Sequence, residues 1–95
     1  MKVRYTPEAF SDRERILEYL QERSPSGARN VATSIREATA RLCEQPHSGY
    51  RTDNPEVRVM FIVRHPYKIF YRVRDDAVEI LHIRHTSRRV WRGET

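Results

Sequence analysis

Hydrophobic positions along the chain change spacing several times, and each change marks an element. Residues 2–5, Lys-Val-Arg-Tyr, alternate polar and apolar and predict a short edge strand. From Thr6 the spacing becomes helical. Phe10, Leu17 and Leu20, with Ile16 beside them, form an apolar stripe, and Arg13, Glu14, Arg15 and Glu18 occupy the wet face. Thr6 is placed to cap this helix, Pro7 to take its first position, and Glu8 to meet its positive end. Ser24 to Gly27 punctuates the pattern. A second helix is predicted over residues 28–44, where Val31, Ile35, Ala38 and Leu42 share one face. It must end before Pro46. A join this short makes the two helices an antiparallel hairpin.

Residues 45–56 read as a loop. Three strand-like runs follow, Val57 to His65, Tyr67 to Asp75 and Val78 to His85, with joins short enough for an antiparallel meander. In the first run Val57, Val59, Phe61 and Val63 share a face, with Arg58 and Arg64 on the other. In the second, Ile69, Tyr71 and Val73 oppose Lys68, Phe70 and Arg72. The third is apolar on both faces through Ile80, Leu81 and Ile83, as an interior strand is. The predicted fold is α+β in one domain spanning 1–95, ordered β-α-α-β-β-β. A helical hairpin packs on a small antiparallel sheet whose other face stays partly open. That open face is expected to carry Lys68 and Arg72, in the same region as Arg58 or Arg64.

Charge sharpens this picture. The net charge is +5, and it is unevenly spread: residues 1–50 carry 8 Lys/Arg against 7 Asp/Glu, and residues 51–95 carry 10 against 6. Nearly all the cations are Arg, whose planar fork suits carboxylate or phosphate. The second half is therefore the electropositive one, fit for nucleic acid or an acidic protein segment. No apolar run approaches a membrane span and the first residues hold no apolar signal core, so the chain reads as cytoplasmic. A single cysteine, Cys43, excludes a disulfide framework and a Cys-based metal site, and its place beside the second helical stripe reads as packing. His82 and His85 lie three apart on a strand and point to opposite faces, which argues against their sharing a metal. His47 reads as surface, His65 as part of a turn, and Tyr67 and Tyr71 as packing residues. No cofactor is expected. Arg84, Arg88, Arg89 and Arg92 could be a solvated run, but Arg84 and Arg88 leave directly from the sheet. Trp91 could anchor the tail or take part in binding.

Taken together, "YTPEAFSDRERILEYL" near the start, "LCEQPHSG" over residues 42–49, "YKIFYRVRDDAVEILHIRH" over 67–85 and "RHTSRRVW" over 84–91 resemble the RelE/ParE superfamily of type II toxin–antitoxin toxins across nearly the whole chain. The resemblance implies a small toxin neutralised by a cognate antitoxin, ParD-like or RelB-like, in a hetero-oligomer. The ParE-like branch is held to poison DNA gyrase; the RelE-like branch cleaves mRNA on the ribosome. The RelE-like pattern implies a lysine group before the hairpin, a basic residue early in the middle strand, an Arg after the last strand and a C-terminal Tyr. Lys68 and Arg88 match the second and third. Residues 50–62 contain no Lys, and Trp91 stands near the position of the Tyr, where an indole cannot move a proton. The resemblance thus favours a gyrase-directed toxin without catalysis, with Arg58, Arg64, Lys68, Arg72, Arg84, Arg88 and Trp91 engaging target or antitoxin. The alternatives are an mRNA endonuclease using Lys68, Arg88 and His85, and a non-toxic basic nucleic-acid-binding module.

Overall fold

The structure, a computed structural model, describes residues 1–86. Its elements run β1 (Lys2–Tyr5), α1 (Pro7–Arg23), α2 (Pro25–Glu44), β2 (Tyr50–Arg51), β3 (Arg58–Phe61), β4 (Tyr67–Arg74) and β5 (Ala77–His85). The strands form one sheet in the order β1-β5-β4-β3-β2. β3, β4 and β5 make the expected meander, and β1 is an edge as its length implied. The sheet is mixed rather than antiparallel, because β1 pairs parallel to β5, with Lys2 beside Ala77 and Tyr5 beside Ile80. The loop reading of residues 45–56 missed β2, whose two residues pair with Val59 and Arg58.

Thr6 caps α1, its hydroxyl accepting from Ala9 N–H at 3.1 Å. Its own N–H and hydroxyl donate to Ile80 O, which ties the helix start to β5. α2 starts three residues before the expected point. Ser24 alone joins the helices: its N–H donates to Leu20 O and its side chain accepts from Gly27 N–H. Ser followed by Pro is a cap and a first helical position, not a loop.

The core lies between the helices and one face of the sheet. Val31, Ile35, Ala38 and Leu42 of α2 are all buried in it, opposite Ile69, Tyr71, Val78, Ile80 and Ile83. On α1 the inward stripe runs through buried Ala9 and half-buried Ile16, Leu17 and Leu20, and Phe10 stands in solvent, one position off it. Cys43 is half-exposed rather than buried. Val57 and Val59 also depart from expectation. They lie on the far face in a small cluster with Phe70, packed by Leu81, and β3 turns Met60 toward the helices, followed into the core by Ile62. From Val59 to Ile62 the run is apolar at every position, so alternation alone could not choose its inner face. One irregularity matters below: Phe70 pairs with His82 and Tyr71 with Ile80, leaving Leu81 as an extra residue in β5. Ile80 and Ile83, three apart, thereby both face the helices.

Candidate functional site

The far face of the sheet is organised in rows set by strand register. Phe61 lies opposite Lys68, and Lys68 opposite Arg84. Two cations thus occupy directly opposed positions on one face, an arrangement that costs stability. Lys68 is only 4% exposed. Its ammonium lies 5.7 Å from the Phe70 ring centre, and among the described residues it makes no ion pair. Arg72 is on this face too, but Glu79 holds its Nε at 2.6 Å and also lies 3.7 Å from Arg4. Arg72 is therefore largely neutralised.

Arg58 and Arg64 do not join Lys68. Arg58 pairs in register with Tyr71 on the helix side and donates to Gly49 O at 2.9 Å. Arg64 sits in the β3–β4 turn, exposed, with a left-handed φ of 70°. Arg88, Arg89, Trp91 and Arg92 lie outside the described residues. His82 and His85 point to opposite faces as expected, because the bulge lies before His82 and the strand beyond it is regular. His85 packs edge-on against Tyr67 with centroids 5.4 Å apart, and His82 shares the side of Lys68 and Arg84.

Asp12 is the organising group at the sheet edge. β1 ends at Tyr5, so β5 would lose its neighbour after Ile80. α1 supplies Asp12 there, and its Oδ2 accepts from Ile83 N–H at 3.1 Å. Its Oδ1 accepts from Arg15 at 2.6 Å and lies 3.8 Å from Arg84. His82 Nδ1 is 3.2 Å from Asp12 Oδ2 and 3.2 Å from Arg84 Nη2. A carboxylate only accepts and a guanidinium only donates, so this nitrogen serves one of them at a time. A proton on Nδ1 bonds to Asp12 and leaves Arg84 loosely held. Without that proton, Nδ1 accepts from Arg84. Arg84 is the least firmly held of the cations around Asp12. Sequence reading passed over Asp12, although its position on the Ala9–Ile16–Leu20 stripe was a legible sign: a carboxylate on a buried stripe needs partners. An open groove of about 920 Å³ runs alongside, with Asp12, Arg15, Ile16 and Leu20 on one wall and Tyr67, Ile83, Arg84 and His85 on the other.

Among the described residues no cluster of His, Cys, Asp and Glu could hold a metal ion, and no helix is long and apolar enough to cross a membrane. The surface offers cations, a groove whose walls mix apolar and charged side chains of both signs, and hydrogen-bonding edges, which suits binding of a protein segment.

Comparison with known proteins agrees with this architecture. The sequence model of a family described as "ParE toxin of type II toxin-antitoxin system, parDE" matches residues 3–90. The chain is 34% identical over 87 residues to a Caulobacter vibrioides protein called Toxin RelE2, covering 92% of this chain and 97% of that one. It superimposes with a TM-score of 0.79 on a solved chain titled "Chromosomal ParDE TA system from P. aeruginosa", at 23% identity, covering 92% of this chain and 97% of the other. That likeness speaks for the shared fold alone.

Proposed function

Since the chain belongs to the ParE toxin family of type II toxin–antitoxin systems, we propose that it arrests growth by binding DNA gyrase and trapping its cleavage complex. On this reading a cognate antitoxin silences it by covering the groove beside Asp12 and the cations next to it. The observation that carries the choice of a binding mechanism is that Lys68 and His85 lie on opposite faces of the sheet. Cutting RNA without a metal needs a base, an acid and cations around one phosphate. Lys68 and His85, separated by the sheet, cannot meet there, which leaves His82 as the one imidazole on the face of Lys68 among the described residues. Binding needs no such convergence, only an electropositive surface with apolar contacts at its centre.

The second reading, an mRNA endonuclease, draws support from the similarity to Toxin RelE2 and from His82, which does share the face of Lys68. Induction of the chain alone in a bacterial host separates the two. The gyrase reading expects filamentous cells, induced DNA-damage response and intact transcripts. Transcripts cut at codons with normal supercoiling would overturn it, and uninhibited growth of cells holding soluble protein would remove both readings. Arg84→Glu in the same assay is expected to relieve arrest, since Arg84 reaches solvent beside the groove and reversing a contact charge weakens binding about tenfold or more.

A further inference from the structure

Among the described residues, the hydrogen-bond acceptor that Arg84 reaches is His82 Nδ1, 3.2 Å from its Nη2. Asp12 Oδ1 lies 3.8 Å from Nη1, too far for a hydrogen bond. That carboxylate is already served: Oδ1 accepts from Arg15 and Oδ2 from Ile83 N–H. A neutral His82 therefore meets the greater need by leaving Nδ1 bare and accepting from Arg84. In that state the guanidinium is drawn back along β5 toward His82. His82 keeps 19% of its side chain in solvent, so protons reach it.

A proton on Nδ1 reverses the arrangement. The imidazolium directs its N–H to the buried Asp12 Oδ2, 3.2 Å away. Arg84 loses its acceptor and meets a cation in its place. The other charges around His82 do not restrain it. From α1, Arg15 stays bound to Asp12. From β4, Lys68 stands opposite Arg84 and makes no ion pair among the described residues. On β5 itself, Glu79 is taken by Arg72 and Arg4, and His85 faces the other side of the sheet. Arg84, which lines the groove, is then pushed outward toward it and toward solvent.

We propose that His82 is a proton-operated latch on Arg84. Neutral, it holds the guanidinium against the sheet; protonated, it releases Arg84 and adds a charge beside it, so the chain grips an acidic segment of a protein partner more tightly as pH falls. The gain in grip rests on the reading that the chain works through protein binding, and the latch itself does not. The full chain is followed by 15N NMR from about pH 8 to about pH 5.5, the range in which histidine changes charge. At the alkaline end the His82 ring should carry its proton on Nε2. As the ring takes up a second proton, the heteronuclear NOE of the Arg84 side-chain Nε–H, assigned by its loss in Arg84→Lys, should fall along the same curve. In His82→Gln, which cannot titrate, that signal should stay constant. A rhodamine-labelled octapeptide of alternating Asp and Leu, ionised throughout this range, is the acidic probe. Fluorescence anisotropy should show it binding about two- to fivefold tighter at about pH 6 than at about pH 8, as one added exposed charge allows, with no such gain in His82→Gln. A proton on Nδ1 at the alkaline end, or an Arg84 signal that ignores the His82 titration, overturns the proposal, and the wild-type spectra decide this even where His82→Gln fails to fold. So does peptide binding that is absent, equally tight at both ends, or still strengthened by acid in His82→Gln. Growth arrest is scored separately: a coupled His82–Arg84 titration without arrest removes the functional reading and leaves the latch.

Discussion

Among the described residues Tyr71 is the bulkiest side chain sealed inside the protein, and its hydroxyl accepts from Gly49 N–H at 2.9 Å. A Cβ on Gly49 would lie 2.5 Å from that oxygen and 2.9 Å from Val59 O. Backbone and a sealed ring cannot both give way, so Gly49→Ala should destabilise by about 1–3 kcal/mol, read from the denaturation midpoint. Burial pushes the Tyr71 phenol above its ordinary value, against smaller lowering effects of the Gly49 N–H and the Arg58 charge. The folded pKa exceeds the unfolded one. The stabilisation is therefore complete below about pH 10 and is lost as pH rises through the folded value. Stability should fall above about pH 10, and Tyr71→Phe should flatten part of that fall in urea titrations at several pH values. Tyr5, also raised by burial against the influence of Arg13, keeps the remainder. At the other end of the sheet, Asp12→Ala should cost about 1–3 kcal/mol, because it strands the buried Ile83 N–H, whereas the two arginines it releases already reach solvent. Asp12→Asn keeps an acceptor for Ile83 and should cost less.

The helices were legible because their apolar residues recur on one face and their ends carry Thr6-Pro7 and Ser24-Pro25. The second of these signals was read as a break because Ser, Pro and Gly also mark turns. Phe10 went astray for a geometric reason: both it and Ala9 continue a helical stripe, and only the position of β5 decides between them. The meander was legible from its short joins, whereas the inner face of β3 was not, since five apolar residues in a row, Val59 to Val63, carry no phase. Pairing of β1 with β5 could not be read at all, because it joins residues some 75 positions apart in parallel. Of the candidate site, Lys68 and Arg72 were set on the far face by alternation, and Asp12, which gathers Arg84 and His82, emerges only when α1 docks. The β4–β5 turn offers a test at this scale. Asp75 and Asp76 both have left-handed φ, 54° and 62°, between the paired residues Arg74 and Ala77. Gly relieves that conformation, and Asp-Gly is the favoured pair in such turns. Asp76→Gly should raise stability by about 0.5–1 kcal/mol, measured by thermal denaturation.

At the scale of the molecule, the first strand closes the sheet against the last one described. β5 is shielded on one side by β4 and on the other by four residues of β1, then by Thr6 and Asp12. Removing residues 1–4 should leave β5 as an apolar open edge. The truncated chain is expected to aggregate on concentration, which light scattering would detect. The opposed pair of Lys68 and Arg84 has a different consequence. Like charges set across two strands hold the unbound toxin below the stability its fold could reach. Lys68→Met should therefore raise the melting temperature of the free chain, by about 0.2–1 kcal/mol in stability, while weakening its action on the cell. On the proposed reading, an acidic partner seated beside Arg84 would ease that repulsion and raise the robustness of the toxin. A complex that outlasts its free toxin under heat or proteolysis would follow from two side chains facing each other across a sheet.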